Sequence, residues 1–168
     1  SLAAAGTFQL ANAACGFDLA AENKLKLGFD NFSIRAFDWK APQLIEYAAS
    51  QKVDALLLSD LEVYESLEED YLKKVRAQAD EAGIELHAGT GSICPTSKSY
   101  HEQKWGKAED HARLLVRTAK QLGTSVARCY LGSRRDRDGE GGIERHMDAM
   151  LEVLTRTLGS DSLDHGVR

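Results

Sequence analysis

Proline and aromatic residues are scarce in this chain, and no long apolar run occurs. Two prolines and 7% aromatics in 168 residues argue against Pro-rich or aromatic-repeat architectures. No uninterrupted apolar stretch approaches the roughly 20 residues a membrane-spanning helix needs. Cysteine is sparse as well. Cys15, Cys94 and Cys129 lie far apart and form no C-x-x-C pair, so a zinc ribbon and a dithiol redox motif are excluded, and buried or incidental thiols are expected. Basic excess is also missing. A formal net charge of -5 leaves no positive surface to displace counterions from phosphates, which excludes non-specific nucleic-acid binding. No G-x-G-x-x-G follows the first strand, where the residues are Gly28, Phe29, Asp30, Asn31 and Phe32, and no Walker loop, G-x-S-x-G or H-E-x-x-H is present.

What is there is a regular alternation. Residues 25–29 (LKLGF), 54–60 (DALLLSD), 84–89 (IELHAG) and 126–132 (VARCYLG) read as strands. Between and after them, residues 42–51, 67–82, 107–122 and 143–158 read as amphipathic helices. Pro42 opens the first, and Gly83 and Gly123 close the second and third. Four βα units in a row with no hairpin signal imply parallel strands in sequential order, joined by right-handed crossovers.

Alternation within the strands separates a doubly wound sheet from a barrel. Ile84, Leu86 and Ala88 form one face of the third strand and oppose Glu85, His87 and Gly89. Ala127, Cys129 and Leu131 oppose Arg128 and Tyr130, while Leu25, Leu27 and Phe29 oppose Lys26, Gly28 and Asp30. A parallel sheet covered by helices on both faces is apolar on both. One polar face predicts helices on one side only and a barrel interior on the other. The fold class expected is therefore α/β, a (β/α)₈ TIM barrel present as an N-terminal half of four βα units.

Function in such folds sits in the loops after the strands. Here these are residues 30–41, 60–66, 90–106 and 133–142. Low on their strands, Lys26 and Glu85 are expected to form an internal ion pair. His87 lies higher and is either a base or substrate hydrogen-bonder or a satisfied structural histidine. Arg128 either neutralises an anionic group or makes a core salt bridge. Tyr130 faces the same side, and Phe37 with Trp39 either wall a sugar site or pack the first loop. The substrate-binding candidates are thus His87, Arg128, Tyr130 and Trp39. His101, His111, His146 and His165 are scattered over helices and loops, and the run from Arg134 to Asp138 reads as a solvated mixed-charge loop.

The segments LKLGFDNFSIRAF, ADEAGIELHAG and AKQLGTSVARCYLG resemble the sugar phosphate isomerase/epimerase family, the xylose isomerase-like TIM barrels related to family-2 apurinic endonucleases. The resemblance covers residues 25–168. It implies proton transfer beside a sugar carbonyl, with a small sugar or sugar phosphate as substrate. It also implies a divalent metal (Mn, Mg, Co or Zn) held mainly by Glu, Asp and His on strands five to eight. The run Ser162-Leu163-Asp164-His165-Gly166-Val167 resembles the helix end and glycine that precede strand five, so the domain is expected to continue beyond Arg168. No metal ligand and no catalytic residue maps onto this chain, which alone is expected to be inactive and to self-associate through open sheet edges. The alternatives are a related metal-dependent hydrolase, lyase or endonuclease, the nuclease being disfavoured by the charge, and a non-catalytic half-barrel binding module.

Residues 1–23 stand apart from the domain at 24–168. Residues 1–16 (SLAAAGTFQLANAACG) are small, apolar and uncharged and contain Ala11-Asn12-Ala13, an A-x-A pattern. They read as the remnant of an export signal, which places the protein in the periplasm or outside the cell, against a disordered Ala-rich tail and a cytoplasmic location.

Overall fold

A computed structural model of the chain describes residues 25–165. The proposed export remnant at 1–23 and the proposed start of a fifth strand at 166–168 lie outside the described residues. Four strands, β1 (Gly28–Asp30), β2 (Ala55–Leu58), β3 (Glu85–Ser92) and β4 (Ala127–Tyr130), form one sheet in the order β1-β2-β3-β4. Every neighbouring pair is parallel.

The helices are α1 (Ala41–Ser50), α2 (Glu69–Ala82), α3 (Glu102–Trp105), α4 (Ala108–Gln121) and α5 (Glu144–His165), with 3₁₀ turns after β1, β2 and β4. In α1, Pro42 occupies the first turn, where its missing N–H costs nothing, and the Gln43 side chain accepts from the Lys40 amide at 3.0 Å. Ala41, Leu44, Ile45 and Ala48 recur at the helical period and are all buried. Glu69 and Asp70 favour the positive end of α2, which buries Leu72, Val75 and Ala79. Gly83 ends it at φ 70°, where a side chain would be strained even though open space surrounds the Cα.

All long helices lie on one face of the sheet. Each packs on the next, α1 on α2, α2 on α4 and α4 on α5, and the core sits between them and Leu56, Leu58, Leu86 and Ala88. A smaller cluster of Ile93, Ala108, Ala112 and Val153 lies under α5. The one-sided helix layer and the sequential parallel order are those of a half barrel, as the alternation predicts.

Several boundaries differ from the sequence reading. β1 begins at Gly28 rather than Leu25, and Leu25 and Leu27 are 91% and 67% exposed, because no helix covers this edge. The Leu27 carbonyl still accepts from the Asp54 and Ala55 amides. β3 runs on to Ser92, with Thr90 and Ser92 buried, instead of ending at Gly89. The short helix α3 falls inside the span read as loop, and α5 continues past Leu158 to His165.

Candidate functional site

The polar face of the sheet is built by alternation. Phe29 points toward the helices and meets Tyr47 of α1 edge to face at 6.0 Å, so Asp30 and Lys26 point the other way. Lys26 and Glu85 form the expected ion pair, and the other Glu85 oxygen accepts from His87 Nε2 at 3.0 Å. Hydrogen bonds first from Lys26 and then from His87 hold the Glu85 carboxyl below the ordinary carboxylate range, and Glu85 in turn raises Lys26. The histidine is thereby oriented by a carboxylate, with Nε2 carrying a proton.

Higher on the same face, Arg128 of β4 reaches Asp30 of β1 at 3.7 Å. Three strand spacings amount to about 14 Å in a flat sheet. Side chains stand roughly upright from a strand, so an ion pair between the first and fourth strands requires the sheet to curve toward this face. Gly89 is register partner to Arg128, and a Cβ there would lie 2.6 Å from the Ser59 Cα, so the glycine permits the close approach of β3 to the end of β2. The Arg128 guanidinium also lies 5.8 Å from the Tyr130 ring centroid.

The sequence candidates are thus partly assembled. His87, Arg128 and Tyr130 share the polar face. Trp39 does not join them. It stacks on Phe37 at 4.5 Å and packs back on Tyr47 at 5.4 Å, and it lines a separate cleft of about 340 Å³ with Asp38, Lys40 and Asp60. Tyr130 also borders a second cleft, of about 120 Å³, with Asp60, Ser92, His101, Lys104 and His111.

The rims of these clefts are held by residues that the sequence reading left unassigned. Asn31 Oδ1 accepts from the Ser59 amide at 2.8 Å and from its hydroxyl at 3.1 Å, joining the ends of β1 and β2. His111 is fully buried, stacks on Trp105 at 5.0 Å and bonds Thr90 Oγ1 through Nε2 at 2.8 Å. Burial, and then the nearby Lys104, lowers its pKa to about 4, so it is neutral. The helical period contains the signal, because His111 falls in the stripe Ala108, Ala112, Leu115 and Ala119.

Arg134, Arg135, Arg137 and Asp138 are exposed, as the solvated-loop reading expects, and the exception is Asp136. It is fully buried and accepts from the Ser133 amide at 2.6 Å, the Ser133 hydroxyl at 3.0 Å, the Lys98 amide at 2.7 Å and the Ser97 hydroxyl at 3.1 Å. These donors, the Lys98 amide foremost, hold its carboxyl well below the usual range. Gly132 is required beside it, since a Cβ there would lie 2.6 Å from Asp136 Oδ2. Ser133-x-x-Asp136 is a capping-box spacing, the local signal for this clamp.

His146 is likewise buried. Its Nε2 accepts from Arg145 Nε at 3.1 Å, which leaves Nδ1–H to donate to Thr96 Oγ1 at 2.8 Å. Cys94 donates to the His146 carbonyl at 3.3 Å. Cys94 Sγ lies 3.9 Å from His146 Nδ1, and both ring nitrogens have closer partners. Among the described residues no group of three or more His, Cys, Asp or Glu side chains is placed to hold a metal ion, and no helix is long and apolar enough to cross a membrane.

No protein-family profile and no curated protein matches the chain. Among solved structures it is similar to D-psicose 3-epimerase, crystallised in the presence of D-fructose, with a TM-score of 0.60 and 15% identity. The match covers 86% of this chain and 50% of the epimerase, so the chain spans about half the length of that protein. A likeness at this identity shows the fold, a TIM-barrel arrangement of parallel strands and helices.

Proposed function

We propose that the chain is the N-terminal half of a sugar or keto-sugar (phosphate) isomerase/epimerase that moves a proton beside a carbonyl. The observation that carries this reading is the polar inner face of a curved half barrel whose fold is that of D-psicose 3-epimerase. On this reading His87 and Arg128 bind and orient a polyhydroxylated substrate. Glu85 fixes the His87 ring and Asp30 holds the Arg128 guanidinium, while Tyr130 closes the upper side. With His87 Nε2–H bonded to Glu85, the ring offers Nδ1 as an acceptor to a sugar hydroxyl, and the guanidinium donates to hydroxyl, carbonyl and phosphate oxygens. A divalent metal and the proton-transferring carboxylates belong, in this proposal, to four further strands. The composition of residues 1–16 supports export to the periplasm.

The test is an isomerisation and C3-epimerisation assay with D-fructose, other ketoses and ketose phosphates in the presence of Mn²⁺. It is run on the 168-residue chain and on one continued through the coding sequence beyond Arg168. Turnover by the longer chain alone, lowered by His87→Ala and by Arg128→Ala, is the expected result. Turnover by the 168-residue chain overturns the placement of the carboxylates. A longer chain that lacks turnover but cleaves DNA at abasic sites favours the endonuclease alternative.

A further inference from the structure

Asp60 stands just after β2 and lines both of the clefts at the ends of the strands. One of its oxygens is committed, because Oδ1 accepts from the Glu62 amide at 3.1 Å and caps the 3₁₀ turn after β2. Among the described residues Oδ2 has no donor. In the smaller cleft, of about 120 Å³, Asp60 meets the stacked rings of Trp105 and His111. His111 is fully buried, and its Nδ1 has no hydrogen-bond partner. Buried polar atoms are nearly always paired, so an orphaned nitrogen in a cleft wall points to a polar guest. The one lysine or arginine of the cleft, Lys104, is already paired with Glu62 and lies 4.9 Å from the Trp105 ring centroid. His111 is neutral. The cleft therefore offers a guest a carboxylate oxygen, an uncharged nitrogen and an aromatic wall, and no spare positive charge from lysine or arginine. Whole small ligands occupy pockets of roughly 300–1,000 Å³, so this cleft takes one end of a molecule. Tyr130 belongs both to it and to the polar inner face, which places the rest of that molecule toward Arg128.

We propose that Asp60 binds and selects the hydroxyl-bearing end of the substrate, its Oδ2 accepting from a terminal hydroxyl while Trp105 packs against the adjacent C–H groups. This rests on the sugar reading above and narrows its substrate class to ketoses whose far end carries no phosphate. A hydroxyl donates to a carboxylate in a charge-assisted bond, stronger than one between neutral groups. A phosphate monoester carries about two negative charges and offers that oxygen no proton. It would meet Asp60 and Glu62 with the Lys104 ammonium already neutralised. Like charges brought together in this way reject the wrong partner, so one carboxylate both attracts the hydroxyl end and excludes the phosphorylated one.

The experiment titrates the 168-residue chain with D-fructose and with D-fructose 6-phosphate, without metal, at about pH 8, where the phosphate is fully ionised. The indole N–H resonance of Trp105, distinguished from that of Trp39 by Trp39→Phe, reports binding. D-fructose is expected to bind in the millimolar range and at least about tenfold more tightly than the phosphate ester. Asp60→Asn keeps an acceptor for the Glu62 amide, and asparagine caps as well as aspartate, so the variant folds while losing the charge. It is expected to weaken D-fructose severalfold and to bring the two ligands within about threefold of each other. Asp38→Asn removes a carboxylate from the larger cleft and is expected to change neither. No binding of D-fructose, equal or tighter binding of the phosphate ester, or a preference that survives Asp60→Asn overturns the proposal. The reaction is tested separately. D-fructose bound here by a chain that, continued beyond Arg168, turns over no ketose keeps the subsite and overturns the isomerase reading. Turnover with a KM that Asp60→Asn leaves unchanged keeps the reaction and overturns the subsite.

Discussion

The two faces of the one sheet obey different physics although they alternate residue by residue. Toward the helices, Leu56, Leu58, Leu86 and Ala88 are between 0% and 5% exposed. Toward the other side, the charged Glu85 and Arg128 and the polar His87 stand in partly solvated positions and pair with neighbours on that face or across the curve of the sheet. An open doubly wound sheet has no such asymmetry, because both of its faces are packed by helices. The buried apolar side chains are on the outer face, and the candidate ligand-binding groups are on the inner face, where their replacement is expected to cost the fold less.

The largest effect that breaks this division is a cavity in the outer layer. Leu58→Ala removes a fully buried side chain from the main core and is expected to cost about 2–5 kcal/mol. Leu57→Ala, next along and facing the half-exposed side, is expected to cost less. Urea midpoints at unchanged slope measure both. Equal losses would mean that both faces are packed alike.

Next in size is the clamp between the loops after β3 and β4. Asp136 has a folded pKa depressed from 3.8 by its four donors, so the unfolded chain binds the proton first as the pH falls. Its stabilising contribution is complete well above that value and is lost as the pH drops through and below it. Asp136→Asn is expected to be less stable than the parent at pH 7 and to show a shallower acid limb below about pH 4, both read from melting temperature against pH.

A smaller effect, in a different pH window, comes from His111. Its pKa is lowered from 6.5 to about 4, so the folded chain stays neutral where the unfolded one takes up a proton. Stability is level above 6.5 and declines as the pH falls from 6.5 toward 4. His111→Gln is expected to flatten that stretch while leaving the deeper acid limb of Asp136 in place. The two limbs therefore separate by variant in the same series of melting temperatures against pH.

Much of this division is legible in the sequence. Leu86 and Ala88 against Glu85 and His87, and Cys129 against Arg128 and Tyr130, set the direction of two strands before any coordinates are considered. Gly83 marks a helix end where it is found. What escapes is whatever depends on long-range partners. β3 continues through Thr90 and Ser92 because their hydroxyls meet His111 and the Leu131 carbonyl, at 2.8 Å each, and neither partner is near in the chain. Asp136 stands in a run of arginines that reads as solvent-facing, and only its distance from Ser133 hints at a buried role. Trp39 has the residue type of a sugar platform, but Phe37 and Tyr47 hold it away from the polar face.

The smallest effect lies on the inner face and decides how wet that face is. Arg128 and Asp30 are 3.7 Å apart with side chains 41% and 32% exposed, so water and salt screen them. Arg128→Ala is expected to cost no more than about 1 kcal/mol. Asp30→Ala has a second cost of about 1 kcal/mol, because the carboxylate also accepts from the Phe32 amide at 2.8 Å and caps the 3₁₀ turn after β1. The two losses are separated by a double-mutant cycle, which removes the capping contribution and leaves the pair alone. A coupling of about 0.2–1 kcal/mol that shrinks in 0.5 M salt (roughly a 4 Å Debye length) fits an open, hydrated inner face ready to exchange water for a polar ligand. A coupling several times larger and insensitive to salt would mean that the ion pair is sealed from water, and the inner face would then be a second core rather than a binding surface.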